Sequence, residues 1–263
     1  MRRSYVDTPR GQIHLREAGQ GDRVLLLIHW TPLSGRMFEG VAPRFAASGF
    51  RVIAPDLLGY GRSDARPTQW TIAAWASNLA EVLDALSIDR ANVLGGHNGA
   101  SIALELALNH PERVDRLILD GCPLLTPELR AAFAALAAWQ PPSDPQAIYD
   151  RTVGLLTEYI PGYATEGAEL DLLWPTMIDY LETKFVPSAP VAAAYDIGKR
   201  LARITHPTLL LGAEKDSLAA NFATASELFA PSARHFFPGN HPLHFADRQG
   251  EYAEVVLRFL ARG

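Results

Sequence analysis

The segment that most constrains the fold of this chain is a glycine-rich turn, Val93-Leu94-Gly95-Gly96-His97-Asn98-Gly99-Ala100. An apolar run that suits a buried strand leads into the turn, and a helix-like run, 101–107, follows it directly. This is the strand–turn–helix context of a G-x-S-x-G motif, in which small neighbours let a strained backbone display one side chain. Such a turn is expected to display Ser, Cys or Asp, but this one offers only His97 or Asn98.

The composition is typical of a globular protein and carries no signal for nucleic-acid or membrane binding. Of the 263 residues, 48% are hydrophobic and 20% are charged, and the net charge of −5 provides no basic surface for nucleic acid. No apolar run reaches the roughly 18 residues of a membrane span, and residues 1–7 lack the apolar region of a signal peptide. The single cysteine, Cys122, cannot form an intrachain disulfide. We therefore expect a cytoplasmic protein without nucleic-acid or membrane partners.

Apolar patterns predict the strands and helices of an α/β protein. Alternation predicts a half-buried strand at 12–16, and continuous apolar runs predict buried strands at 24–28, 51–54, 114–119 and 208–211. Amphipathic patterns between the strands predict helices at 36–48, 71–86 and 251–262. Strands that alternate with helices imply a mostly parallel central sheet with helices on both faces.

The pattern changes between residues 124 and 206, where strand signals stop and helical signals broken by prolines dominate. We expect 124–206 to be an inserted helical cap, and 1–123 and 207–263 to form the core domain. The cap is rich in large aromatic residues. We expect most of them to fill the core of the cap and some to face a pocket between cap and sheet.

Several motifs follow one another along the chain in a defined order. They are His29-Trp30-Thr31-Pro32, the A-P-D-L-L-G-Y-G-R-S segment at 54–63, the glycine-rich turn, 109–114, 211–216 and Gly239-Asn240-His241. In this order they resemble segments of the α/β-hydrolase superfamily, including its oxyanion loop, nucleophile elbow, acid-bearing turn and histidine loop. The resemblance covers nearly the whole chain outside 124–206, and it implies an α/β-hydrolase fold with a hydrolytic active site.

The register of the elbow determines which side chain is displayed. Both His97 and Asn98 have small residues two positions before and two positions after them. In the family that the chain resembles, the displayed residue lies five positions before the first large apolar residue of the helix, which here is Ile102. This spacing favours His97 over Asn98.

The resemblance also implies the remaining site residues. His241 is expected to be the catalytic histidine, and Asp216 is expected to be the acid that orients it. Asp120 is an alternative acid, although it equally fits a residue that caps a turn or binds backbone amides. The backbone amides of Thr31 and Asn98 are expected to form an oxyanion hole.

Trp30 is a second departure from the family pattern, which usually has glycine at this position. The indole either narrows the substrate cavity or packs away beneath the cap, in which case only the Thr31 amide matters. The preceding residue, His29, is expected to brace the oxyanion loop.

His97 can replace the missing nucleophile in three ways. The imidazole can attack a carbonyl carbon directly and form an acyl-imidazole. It can act with His241 as a general acid/base pair, for ester or C–C bond hydrolysis or for lyase, decarboxylation or isomerisation chemistry. Finally, His97, His241 and Asp216 can bind a metal ion as two histidines and a carboxylate.

Two further interpretations of the elbow stay open. A hydrolase that lost its nucleophile could persist as a non-catalytic ligand-binding protein, or His97 could result from engineering. Because the substitute is a reactive group and the acid and base positions are filled, we expect an enzyme. We expect it to hydrolyse an ester or C–C bond of a small, largely apolar carbonyl substrate, without an organic cofactor or metal.

Overall fold

The central element of the fold is a single sheet. The computed structural model describes residues 1–67, 70–138, 144–159, 178–179, 181–182, 188–216, 218–239 and 248–261. Within these residues eight strands form one sheet in the order β1-β2-β4-β3-β5-β6-β7-β8. The strands are β1 Arg2–Thr8, β2 Gly11–Ala18, β3 Arg23–Ile28, β4 Phe50–Pro55, β5 Ala91–Gly96, β6 Val114–Asp120, β7 Thr208–Ala213 and β8 Ala233–Phe237. Strand β2 pairs antiparallel with both of its neighbours, and every other pairing is parallel, so the predicted mostly parallel sheet is confirmed.

Helices cover both faces of the sheet, as the alternation of strands and helices predicts. The described helices are α1 Ala42–Ala47, α2 Ile72–Ala85, α3 Asn98–Asn109, α4 Pro127–Ala135, α5 Pro145–Tyr159, α6 Ala189–Ala194, α7 Ile197–Leu201, α8 Asn221–Leu228 and α9 Gln249–Leu260. Short 3-10 helices span Gly35–Phe38, Pro111–Arg113 and Leu136–Ala138.

Two hydrophobic cores result, one on each face of the sheet. Helices α2 and α3 pack on one face, where Trp75 and Ile102 are fully buried. Helices α1 and α9 pack on the other face, where Phe45 and Val256 are fully buried. Each such side chain stabilises the fold by roughly 1.5–3 kcal/mol relative to an exposed position.

Two local predictions differ from the observed elements. The helix predicted at 36–48 is divided into the 3-10 helix Gly35–Phe38 and α1, because Pro43 lies in the first turn of α1 and cannot donate a hydrogen bond to a preceding turn. Strand β8 is not predicted from the apolar pattern. It lies at the edge of the sheet, and its first four side chains are all partly or fully exposed.

The segment 124–206 contains only helices among its described residues, and all eight strands lie outside it. Tyr195, Ile197 and Leu201 are nevertheless buried in the same core as α2 and α3. The chain is therefore already anchored on the core domain before residue 206, while the cap boundaries stay a prediction. No helix in the described ranges is both long and apolar enough to cross a membrane.

The parallel strands bring the predicted site residues to one edge of the sheet. Thr31 follows β3, His97 follows β5, Asp120 ends β6 and Asp216 follows β7. These positions are the carboxyl ends of adjacent parallel strands, where open α/β sheets bind their ligands.

A buried carboxylate holds the loops next to this edge together. Asp56, fully buried after β4, lies 2.9 Å from His14 Nδ1 and accepts hydrogen bonds from Arg16 Nη1 at 2.7 Å, Gly35 N at 2.8 Å and Arg62 N at 3.0 Å. Burial alone would raise the pKa of Asp56, but the hydrogen bond with His14 and the charge of Arg16 lower it to about 2. The carboxylate therefore joins β2 to the turns that follow β3 and β4.

Asp56→Asn should destabilise the fold strongly, because it leaves the buried Arg16 cation without its closest anion. We expect the free energy of unfolding at pH 7 to fall by about 3–5 kcal/mol. Because the pKa of Asp56 drops from 3.8 to about 2 on folding, its contribution is present above pH 3.8 and is lost as the pH falls through about 2. Urea unfolding from pH 7 downwards, followed by circular dichroism, should show the difference from wild type narrowing below pH 4.

The exposed Asp22 provides a matched control, since Asp22→Asn makes the same chemical change away from this network. A difference between the Asp56 variant and wild type that stayed constant down to pH 2 would contradict the assigned role.

Candidate active site

The turn between β5 and α3 carries a backbone conformation that L-residues rarely adopt. His97 has φ 49° and ψ −117°, and it directly precedes the first residue of α3, Asn98. A Cβ atom on Gly95 would lie 2.1 Å from the carbonyl oxygen of Gly99, and one on Gly99 would lie 2.5 Å from that of Ile28. The turn therefore requires glycine on both sides of His97, which is the register that the helix spacing favours.

The His97 imidazole forms a direct contact with Asp216. His97 Nε2 lies 2.8 Å from Asp216 Oδ2, and the Leu218 amide donates a hydrogen bond to Asp216 Oδ1 at 2.8 Å. The Asp216 side chain is 1% exposed, whereas the His97 side chain is 21% exposed. Because an ionised carboxylate only accepts hydrogen bonds, this contact places the imidazole proton on Nε2 and leaves the lone pair on Nδ1.

The contact between His97 and Asp216 crosses the end of β6. Strands β5 and β7 are separated by one strand, hence by about 10 Å at the usual strand spacing. Gly121 follows β6 and leaves room for the ring, since a Cβ atom there would lie 2.6 Å from His97 Cδ2. The sequence reasoning pairs Asp216 with His241 and misses this contact. The strand order together with Gly121 is the signal that could have revealed it.

Trp30 lies within the site, against the elbow. Its indole stacks on the His97 imidazole with ring centroids 3.7 Å apart and an interplanar angle of 16°. A Cβ atom on Gly96 would lie 1.8 Å from Trp30 Nε1, so the indole also fills the space beside β5. Trp30 is 9% exposed and belongs to the same hydrophobic core as Phe45 and Val256, so its effect on a substrate cavity stays a prediction.

His29 links the loop after β3 to the end of β4. Its Nδ1 donates to the carbonyl oxygen of Trp30 at 2.7 Å, and its Nε2 accepts from the amide of Leu57 at 2.9 Å. Burial lowers the pKa of His29 to about 4, although the Trp30 carbonyl and the Asp56 charge oppose this shift. The ring is therefore neutral at physiological pH. This agrees with its hydrogen bonds, in which Nδ1 is a donor and Nε2 is an acceptor.

Thr31 and Asn98 are joined through their side chains and through a residue that the sequence did not indicate. Asn98 Nδ2 donates to Thr31 Oγ1 at 2.7 Å and to Ser188 Oγ at 3.3 Å. The Thr31 hydroxyl donates to Ser188 Oγ at 2.7 Å. No local motif surrounds Ser188, so sequence reasoning had no signal for it. These three residues are called the Thr31–Asn98–Ser188 cluster below.

Asp120, the alternative acid, is buried behind the elbow. The Tyr252 hydroxyl of α9 donates to Asp120 Oδ2 at 3.0 Å, and the His97 amide donates to the Asp120 carbonyl oxygen at 2.8 Å. The predicted histidine, His241, lies outside the described residues. Its pairing with either acid, and the metal site that includes it, therefore stay predictions. Among the residues that the structure describes, no group of three or more His, Cys, Asp or Glu side chains could hold a metal ion.

Known proteins resemble this chain over part or all of its length. A 2-hydroxymuconate semialdehyde hydrolase from Pseudomonas putida is 39% identical over 110 residues, 41% of this chain and 39% of the relative. A Variovorax paradoxus protein whose name proposes a carbamate hydrolase, RutD, is 28% identical over 257 residues, 89% of this chain and 86% of the relative. The chain spans about a third of the length of the first curated relatives it matches.

The solved structures include close matches to the whole fold. A hydrolase from Pseudomonas aeruginosa PA01 superposes with a TM-score of 0.84 at 25% identity, covering 99% of this chain and 98% of the other. A family model described as the alpha/beta hydrolase fold matches residues 23–246, which includes the strands after β2, the elbow and the acid-bearing turn. The chain belongs to the α/β-hydrolase fold family.

Proposed function

We propose that this chain is a hydrolase that cleaves an ester or C–C bond of a small, largely apolar carbonyl substrate, with His97 at the elbow moving the proton. The observation that carries the proposal is the 2.8 Å contact between His97 Nε2 and Asp216 Oδ2. In a Ser-His-Asp triad, the histidine and the acid together perform the proton transfers, while the serine attacks. The same pair of groups meets here with no serine beside the histidine, so we propose water as the attacking species.

The tautomer of His97 suits a general base. With its proton held on Nε2 by Asp216, Nδ1 carries the lone pair that accepts a proton from water. The water oxygen then forms a bond to the substrate carbonyl carbon and gives a tetrahedral oxyanion. When this intermediate collapses, Nδ1 returns the proton to the leaving oxygen or carbon. Asp216 remains ionised throughout and stabilises the imidazolium that forms in between.

The developing negative charge has candidate donors on both sides of the elbow. Asn98 begins α3, and the first amides of a helix have no partner within the helix. Thr31 lies across from it and is bridged to it by a side-chain hydrogen bond of 2.7 Å. Each oxyanion donor of this kind contributes about 10²–10³ in rate.

The nature of the substrate follows from the surroundings of His97 and from the relatives. The Trp30 indole forms an apolar wall against the imidazole, which favours a largely apolar substrate. The relatives named above are a 2-hydroxymuconate semialdehyde hydrolase and a protein whose name proposes a carbamate hydrolase. Both names describe hydrolysis of a carbonyl compound, which supports the same reaction class here.

Direct attack by His97 is a second candidate mechanism, and the position of the residue favours it. The elbow displays His97 where hydrolases of this fold hold their attacking atom. Nδ1 would then bond to the carbonyl carbon, and the tetrahedral intermediate would break the bond to the leaving group, which departs and takes a proton from solvent. Water would then hydrolyse the resulting acyl-imidazole to the acid and free His97. Both mechanisms require Asp216 on Nε2, but only direct attack produces an acylated protein.

His97→Asn and Asp216→Asn should each abolish most hydrolysis of p-nitrophenyl acetate and butyrate. We expect kcat/KM to fall by about 10³–10⁴. His97→Asn removes the base, and Asp216→Asn removes the carboxylate that holds the imidazole proton on Nε2. Both variants should keep a melting temperature close to wild type, since Asn is among the residues that best tolerate positive φ and Asp216→Asn preserves the side-chain shape. Steady-state kinetics and thermal unfolding test this.

His206→Asn is a matched control, because His206 precedes β7 at the opposite edge of the sheet, where its Nε2 donates a hydrogen bond to the Pro111 carbonyl oxygen at 3.0 Å. Mass spectrometry of the wild-type protein under single-turnover conditions separates the mechanisms: no added acyl group indicates attack by water, and an acyl group on His97 indicates direct attack. Hydrolysis that persists in both His97→Asn and Asp216→Asn would refute the proposed function.

Gly121→Ala should reduce activity by displacing the His97 ring. The new methyl group would lie 2.6 Å from His97 Cδ2 and 3.2 Å from Asp216 Oδ2, so the contact between the two side chains must lengthen. A misplacement of about 1 Å costs roughly 10² in rate, and we expect a loss of this order in kcat. The φ of +63° at Gly121 adds a stability cost of about 1–2 kcal/mol.

Gly49→Ala separates these two effects. Gly49 also has positive φ, +86°, but a Cβ atom there meets nothing within 4 Å. This control should lose similar stability and keep full activity. Equal activity in the Gly121 and Gly49 variants would show that hydrolysis does not depend on the His97–Asp216 contact.

A further inference from the structure

We propose that Ser188 is a positioning residue that fixes the distance between the two oxyanion donors, Thr31 and Asn98. This inference rests on the proposed function, because it concerns the donors that stabilise the tetrahedral intermediate. Ser188 itself does not have to touch the substrate; it acts through the side chains of the two donor residues.

The hydrogen bonds of the cluster make Ser188 Oγ a shared acceptor. It receives one hydrogen bond from Asn98 Nδ2 at 3.3 Å and one from the Thr31 hydroxyl at 2.7 Å. The second hydrogen of the Asn98 amide goes to Thr31 Oγ1 at 2.7 Å. The three side chains therefore form a closed triangle, in which each contact limits the other two. Removal of the Ser188 hydroxyl opens this triangle and leaves the Asn98 side chain with Thr31 as its one partner among the three residues.

The three residues come from distant parts of the chain. Thr31 lies in the loop after β3, Asn98 begins α3 and Ser188 directly precedes α6. Ser188 is buried, with 8% of its surface exposed, so solvent has little access to the shared oxygen. No local sequence preference holds these residues together, and their relative position depends on the triangle and on how α6 is anchored.

The anchor of α6 is a buried ionic cluster on α3. The Tyr195 hydroxyl, directly after α6, donates to Glu105 Oε2 at 2.8 Å, and Arg200 Nε of α7 donates to the same oxygen at 3.1 Å. Glu105 lies two turns after Asn98 on the same helix. Helix α3 thus carries Asn98 at its first turn and, through Glu105, holds the segment that delivers Ser188. This arrangement keeps Ser188 aligned with Asn98.

A positioning role predicts a specific kinetic effect. The distance between oxyanion donors matters when charge develops on the substrate oxygen, and it matters little for binding of the uncharged ester. Ser188→Ala should therefore lower kcat for p-nitrophenyl acetate by about ten- to a hundredfold and leave KM within about twofold of wild type. A residue with a merely structural role would lower the amount of folded protein without separating kcat from KM.

The test compares Ser188→Ala, Ser188→Thr and the control Ser226→Ala. Ser188→Thr keeps the shared oxygen and should retain most of the wild-type kcat. The Ser226 hydroxyl of α8 donates a hydrogen bond to the Phe222 carbonyl at 2.8 Å, away from the cluster, and its replacement should leave kcat unchanged. If Ser188→Ala does not fold, Thr31→Val breaks the same triangle from the other side and should show the same loss of kcat.

Inhibition by p-nitrophenyl methylphosphonate provides a second measurement, because this tetrahedral anion imitates the species formed when water adds to the acetyl group. Its inhibition constant should rise in Ser188→Ala by the same factor as kcat falls. Suppose that hydrolysis depends on His97, but Ser188→Ala has the same kcat and the same inhibition constant as wild type. That result would overturn the inference and leave the proposed function intact. Hydrolysis that does not depend on His97 would instead overturn the proposed function, and the inference with it.

Discussion

The site depends on close backbone packing where β3, β5 and α3 meet. The backbone at Gly95 and Gly99 lies so close to the carbonyl oxygens of Gly99 and Ile28 that neither position has room for a side chain. Between them, residue 97 adopts positive φ. This conformation costs about 1–2 kcal/mol for an L-residue. The hydrogen bond from the His97 amide to the Asp120 carbonyl and that from the Ala100 amide to the His97 carbonyl, both 2.8 Å, help to hold it. The packing thus determines where the side chain is displayed, and its chemistry depends only on which residue is there.

An imidazole at this position changes which groups can meet. In a Ser-His-Asp triad the histidine lies between the serine and the acid, because it takes the proton of the hydroxyl and later returns it to the leaving group. The His97 ring reaches Asp216 directly, because Gly121 leaves the end of β6 open. In the proposed mechanism, His97 is therefore both the displayed residue and the proton-transfer residue. That mechanism gives the attacking role to water or to the ring itself, and the stacked Trp30 indole limits how the ring can turn.

Apolar patterns and glycine spacing were sufficient for the buried strands, the longer helices and the order of the motifs. They did not predict the exposed edge strand β8 or the division of the helix at 36–48. The resemblance also implied Trp30, Thr31, Asn98, Asp120 and Asp216 as site residues, and the fold places them near the carboxyl ends of its parallel strands. The partners of these residues were harder to predict. The contact of Asp216 with His97 requires the strand order β5-β6-β7, and the role of Ser188 requires the position of α6 on α3. Neither is encoded by residues that are close in sequence.

The turn at residues 33–35 is held by two carboxylates, Asp56 and Asp179, whose pKa values shift in opposite directions on folding. Asp56 accepts from the Gly35 amide, and hydrogen bonds and Arg16 keep its pKa at about 2, so its ionised form stabilises the fold above pH 3.8. Asp179 accepts from the Ser34 amide at 3.0 Å, but burial raises its pKa to about 6. Arg36 Nε lies 3.5 Å from Asp179 Oδ1 without a hydrogen bond, so the cation offsets burial only in part. The contribution of Asp179 is full below pH 3.8 and is lost as the pH rises through about 6. At neutral pH the loop that carries Trp30 and Thr31 is therefore stabilised by Asp56 and the neutral His29. Asp179 makes the stability of this loop depend on pH.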